Sequence, residues 1–236
     1  MRLLLQTAFS SLLRPGPPPT RWARPAIAVA IGFALFTAVL IERGWSIHEN
    51  TGRYFGEGRP GTVAVVVLFV ISGVFCLLAA RDLGVYAGDR PGKRRFARFW
   101  RWFAVLLFYL AADDMFKVHE NLDVMIASAA GLDDEKHWVD EIDSIIVALY
   151  LPLMVALAWP HRIRLAGTRW LVVCMSLAIV LFIGMVVIDI SEGPVALEES
   201  LKLFAAVAIM LGVAAARDTY RDDFQLSGDQ ASGEPA

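Results

Sequence analysis

PGTVAVVVLFVISGVFCLLAA, residues 60–80, carries no charge over 21 positions and is closed by Arg59 on one side and Arg81 on the other. A hydrocarbon core of ~30 Å needs about 20 residues of helix to cross it. The run is continuously apolar rather than alternating, which reads as a spanning helix and not as a barrel strand. Outward from it, 25–41 (closed by Glu42), 144–160 and 170–188 (ending at Asp189) have the same character. Two further runs reach spanning length only if charged residues lie within the membrane boundary. One is 102–112, whose helix is expected to continue through Asp113 toward Val124. The other is about 196–216, with charges in its first two turns. The expected fold is all-α: a polytopic membrane protein, a bundle of six transmembrane helices.

Hydrophobic residues make up 57% of the 236 positions and charged ones 19%, against ~25% charged in an ordinary soluble domain. This composition excludes a disordered chain, a disulfide scaffold and a typical soluble enzyme. Cys76 and Cys174 both fall in apolar runs and read as small core residues. No P-loop or GxSxG is present. Residues 1–24 read as a cytoplasmic segment with a short interfacial helix. A Pro-rich spacer follows it where a signal peptide would have its cleavage site. Residues 25–216 form the transmembrane domain, and 217–236 read as a disordered cytoplasmic tail.

Charge asymmetry sets the orientation. With both termini cytoplasmic, 16 of the 22 Lys and Arg fall inside and 6 outside, while 17 of the 24 acids fall outside. The expected topology is therefore six spans with both termini in the cytoplasm. Trp22, Trp100, Trp102, Trp159 and Trp170 mark the inner interface, and Trp45 and Trp138 the outer. The polybasic Lys93, Arg94, Arg95, Arg98 and Arg101 suit anionic lipid rather than nucleic acid.

The ionisable residues of the short spans converge on one layer. At ~1.5 Å per residue, Asp113 lies ~18 Å above Arg101, and His119 and Glu120 lie ~27–28 Å above it. Counted back from Arg217, Glu198 and Glu199 reach the same height, with Lys202 at ~22 Å. Asp113 and Glu120 are nearly eclipsed on their helix, beside an i, i+4 stripe of His119 and Asp123. Glu198 and Lys202 make an i, i+4 pair in the favourable order. Plain alternatives are ion pairs at helix ends (Glu198–Lys202, Asp113–Lys117) and a solvated acidic loop (Asp133, Asp134, Glu135, Asp140, Glu141). Glu42 and Asp189 could simply be interfacial stops, but Asp113 is too deep to be one, and an ionisable group at such depth needs a partner or a wet cavity.

One His beside several carboxylates suits zinc or non-haem iron. Asp113, His119, Glu120, Glu198 and Glu199 are the candidate ligands of a divalent metal ion. Asp114 and Lys202 would orient water or stabilise developing charge, giving a metal-dependent hydrolase of a lipid-like or periplasmic substrate. The alternatives are a proton- or cation-coupled transporter or channel using the same carboxylates, and a non-catalytic membrane subunit docking a partner. A membrane protein partner or a homo-oligomer is compatible with each.

The pattern Asp113-Asp114-x4-His119-Glu120, with Glu198-Glu199 in the last span, resembles one in uncharacterised bacterial multi-pass membrane proteins; that resemblance implies no known activity. Alkaline ceramidases and adiponectin-type receptors also place His and acids in helices around a zinc. This chain departs from them, with six spans rather than seven and no HxxxH in a late helix. The expected location is a bacterial inner (plasma) membrane, with the polar pocket facing outward.

Overall fold

A computed structural model describes residues 32, 60–85, 91–116, 118–130, 136–191 and 195–232. At 91, 119, 120, 123, 124, 127, 130, 136–144 and 222–232 it describes the backbone alone. The expected first span, 25–41, lies outside the described residues except for Gly32.

Every described element is helical. In chain order they are α1 (Pro60–Val85), α2 (Pro91–Phe116), α3 (Val118–Ala130) and α4 (Lys136–Ala158). A 3-10 turn (Trp159–His161) then leads into the short α5 (Arg162–Ala166), followed by α6 (Arg169–Ile190) and α7 (Val195–Ser232). Four stretches are long and apolar enough to cross a membrane: α1, Ile145–Ala166, α6 and Val195–Arg221. The described residues are thus all-helical, and the chain has the composition of a multi-pass membrane protein.

α7 is the hub. It packs along α6 on one side and α1 on the other, and α1 packs along α2. α4 touches α2 and α6 more lightly and pairs with α3. α1 illustrates how the faces divide. Val65, Leu68, Ser72, Cys76, Ala79 and Leu83 are buried, while Val63, Val67, Val70, Val74 and Leu77 are exposed. Both sets recur at the three- and four-residue spacing of a helix face. Ser72 lies in the buried set and satisfies its hydroxyl within the helix, donating to the Leu68 carbonyl at 2.7 Å.

Small residues let α7 approach its neighbours. Ala205, Ala206, Ala208, Ala214 and Ala216 are buried along it. A Cβ on Gly212 would stand 3.0 Å from Cys174 Cβ on α6. Where α1 meets α2, a Cβ on Gly73 would stand 2.7 Å from the Phe108 ring. Close backbone approach of this kind is how helices associate in lipid, where apolar burial alone gives no preference for protein over acyl chains.

Three boundaries differ from the sequence reading. The expected span from Trp102 to Val124 is described as two helices, α2 and α3, on either side of residue 117. α2 also starts at Pro91, so Lys93, Arg94, Arg95, Arg98 and Arg101 ride on its first turns. Phe96, Phe99, Trp100 and Phe103 form its buried face, and Arg94, Arg95, Arg98 and Arg101 point away from it. These arginines, together with Asp113 and Asp114, make α2 too polar to count among the span-like helices although it packs along one of them, α1.

α4 begins at Lys136, so Asp140 and Glu141 of the expected acidic loop are helical. Trp138, Ile142, Ile145, Ile146 and Leu149 carry the helical period back through them. The last helix was expected to end near Ala216, with a disordered tail after it; α7 instead continues helical to Ser232. Packing holds the first of these residues: Arg217 Nε donates to Asp82 Oδ2 on α1 at 3.1 Å. Tyr220 meets Phe96 and Trp100 of α2 edge-on, at centroid distances of 5.3 and 6.0 Å.

Candidate functional site

Consecutive residues on a helix point ~100° apart, so Asp113 and Asp114, in the last turn of α2, serve different neighbours. Asp113 is 4% exposed and accepts a 2.7 Å hydrogen bond at Oδ2 from the Tyr150 hydroxyl on α4. Tyr150 Oη lies 3.5 Å from Tyr109 Oη, one turn back on α2 and on the bundle surface. A chain of hydroxyls therefore runs from that surface to the buried carboxylate.

Asp114 turns toward α7. Lys202 Nζ donates to Asp114 Oδ1 at 3.1 Å and to Glu199 Oε1 at 2.9 Å. Glu199 is 8% exposed. The second oxygens, Asp114 Oδ2 and Glu199 Oε2, are buried and have no hydrogen-bond partner among the described residues. The triad counts two carboxylates to one ammonium. In a low-dielectric surround each ion is expensive to desolvate, and the attraction offsets this only where the remaining polar valences are filled.

Between α2, α4, α6 and α7 lies a cavity of ≈ 130 Å³. Asp113, Asp114, Tyr150, Asp189, Glu198 and Lys202 supply its polar lining. The remaining wall is apolar, with Phe69, Phe182, Met154, Met175 and Met185 among its residues. Asp189 stands near the end of α6 and Glu198 in the first turn of α7. The carboxylates therefore gather at the end of the bundle where α6 gives way to α7.

Of the residues singled out by sequence, Asp113, Asp114, Glu198 and Lys202 line this one cavity, and Glu199 joins it through Lys202. His119 and Glu120 lie on α3, and their side chains fall outside the described set. Among the described residues, no three His, Cys, Asp or Glu side chains cluster as a metal site. The position shared by Asp114 and Glu199 is held by the Lys202 ammonium. Sequence reasoning missed Tyr109 and Tyr150. The usable signal was a tyrosine hydroxyl inside an apolar run, four residues before Asp113 in one case and at mid-span in the other.

Comparison with curated proteins and with solved structures found no match. The profile of a domain of unknown function, DUF8692, matches residues 53–216, from ahead of α1 to Ala216 on α7, and spans every residue of the cavity. The chain belongs to the DUF8692 family.

Proposed function

We propose that this chain is a proton- or cation-coupled transporter of a bacterial inner membrane, with six spans and both termini cytoplasmic. Four span-like helices and the 16-to-6 division of basic residues support that placement. One observation carries the functional reading: Lys202 is clasped by two carboxylates at a cavity wall, and each carboxylate has one buried oxygen with no hydrogen-bond partner among the described residues.

Among the described residues, one ammonium against two carboxylates leaves the triad one positive charge short. A proton or small cation reaching Asp114 Oδ2 or Glu199 Oε2 would neutralise the triad and fill the missing valence. At Asp114 the same event weakens the hold of that carboxylate on Lys202, and with it the tie between α2 and α7. Binding is thereby linked to the contact between two helices, which is what coupling requires. The Tyr109–Tyr150–Asp113 chain supplies a second acceptor and a path to it. Metal-dependent hydrolysis would draw on His119 and Glu120, and no observation among the described side chains favours it.

The test is charge displacement after pH jumps on proteoliposomes adsorbed to a solid-supported membrane. Wild-type protein should give a transient that Glu199→Gln and Asp114→Asn each abolish and Asp82→Asn, at the far end of α1, retains. A wild-type trace equal to that of protein-free liposomes sinks the reading.

A further inference from the structure

We propose that the exposed face of α2 seats one anionic phospholipid, its phosphate on Arg95, Arg98 and Arg101 and an acyl chain along Trp102, Val105 and Tyr109. The seat goes beyond the transport reading and does not depend on it; it needs only that the bundle lies in a bilayer.

The order of residues on one helix face carries the proposal. At ~100° per residue, Arg95, Arg98, Arg101, Trp102, Val105 and Tyr109 fall within about a third of the helix circumference. All six are exposed, while Phe96, Phe99, Trp100 and Phe103 are buried on the other side of α2. Along the exposed face the chemistry changes once. The arginines occupy ~9 Å of helix axis, and Trp102, Val105 and Tyr109 continue for ~12 Å beyond Arg101. A leaflet presents head group, interface and acyl chain in that same order, with a hydrocarbon half ~15 Å deep. Trp159 and Trp170 are also exposed at this end of the bundle, with the Arg162 and Arg169 guanidinium groups over their rings at 4.8 and 5.9 Å. Exposed tryptophans gathered at one end mark the head-group level.

The arginines are open to a ligand. Among the described residues, Arg95, Arg98 and Arg101 make no hydrogen bond or ion pair. Of the acids described at this end, Asp82 is held by Arg217 at 3.1 Å and Asp218 is buried. Arg164 of α5 brings a further guanidinium to the same turns of α2, 5.5 Å from the Phe96 ring, with its Nη1 donating to the Gly92 carbonyl. Guanidinium groups suit phosphate because their planar donors engage its oxygens in pairs. A soluble phosphate would use the arginines and leave Trp102, Val105 and Tyr109 uncovered. A zwitterionic lipid brings an amine beside its phosphate and no net charge. A phosphatidylglycerol-type lipid supplies the net negative charge together with the chain, so it fits both halves of the face.

Native mass spectrometry of the purified full-length protein in detergent provides the test. Titration with phosphatidylglycerol and with phosphatidylcholine of the same acyl chains reads the affinity for the first bound lipid. Phosphatidylglycerol should bind about tenfold tighter. Arg95→Gln, Arg98→Gln and Arg101→Gln should each weaken its binding about fivefold. These side chains are exposed, so the melting midpoint without lipid should stay at the wild-type value. Arg162→Gln, at the same end but off α2, should leave the affinity within about twofold of wild type. Equal affinities for the two lipids overturn the proposal. So does an Arg162→Gln loss as large as that of Arg98→Gln, which would make binding a matter of total surface charge. Displacement of phosphatidylglycerol by glycerol phosphate at equal concentration also overturns it, leaving a site for soluble phosphate rather than for lipid.

Discussion

Lys202 reaches across a helix interface to Asp114 at 3.1 Å and along its own helix to Glu199 at 2.9 Å, so one side chain is the common partner of two others. Removing a partner from a buried ion pair strands the other charge, at about 3–5 kcal/mol, which exceeds the worth of the intact pair. Lys202→Met is therefore expected to lower the thermal midpoint in detergent sharply, with helical content unchanged before the transition. Adding Asp114→Asn to Lys202→Met should recover part of the loss, because one stranded charge is gone. Losses that simply add would show that the two residues do not share an interaction. Tyr150 acts more mildly. Tyr150→Phe takes the donor from Asp113 Oδ2 and should destabilise by about 1–3 kcal/mol, read as a shift in the same melting curve.

At the scale of elements, α7 organises the bundle because its small residues admit close neighbours on two sides. The glycines make this testable. Valine at Gly212 would drive its branch into Cys174, whose Cβ stands 3.0 Å from the ideal Cβ position. Overpacking at such a contact costs about 1–3 kcal/mol. Gly212→Val should therefore weaken the α6–α7 pairing and lower the melting midpoint. Gly184→Ala, whose Cβ would meet only Leu201 Cδ1 at 3.4 Å, should stay close to wild type. Equal effects at the two positions would argue against close approach at Gly212 as the basis of the pairing. α2 shows the complementary case. Its polar composition is accommodated because its aromatic face is buried, its arginines point outward and its two carboxylates each meet a partner on another helix.

Across the whole molecule, chemistry is separated along the bundle axis. Carboxylates gather where α6 ends and α7 starts. At the opposite end lie Arg217–Asp82, the aromatic group around Trp100, and Arg164, whose Nη1 donates to the Gly92 carbonyl. The basic residues of α2 lie at that same end, suited to anionic head groups. In the proposed topology that end faces the cytoplasm. Reporter fusions after residue 236 and at residue 131 should report cytoplasmic and outer locations respectively. A cytoplasmic reporter at 131 would invert the proposed cavity.

Several of these features were legible in the order of residues alone. Uncharged runs of spanning length mark α1 and α6, because the bilayer imposes a length on any helix that crosses it. Helical rise put Glu198 and Glu199 level with His119 and Glu120, and brought Lys202 to within about 4 Å of Asp113 in depth, before any neighbour was known. Which of them would touch was not legible. Spacing pointed to Glu198 as the i, i+4 partner of Lys202, whereas the hydrogen bond within α7 goes to Glu199 and the one between helices goes to Asp114. The reason is physical. In a lipid-facing helix such as α1, valines cover the exposed face and apolar residues also cover most of the buried face, so hydropathy carries no contrast between neighbour and lipid. Depth follows from a count along one helix. The rotation and partner of each helix follow from where glycines and alanines let backbones meet, and only the packed structure decides that.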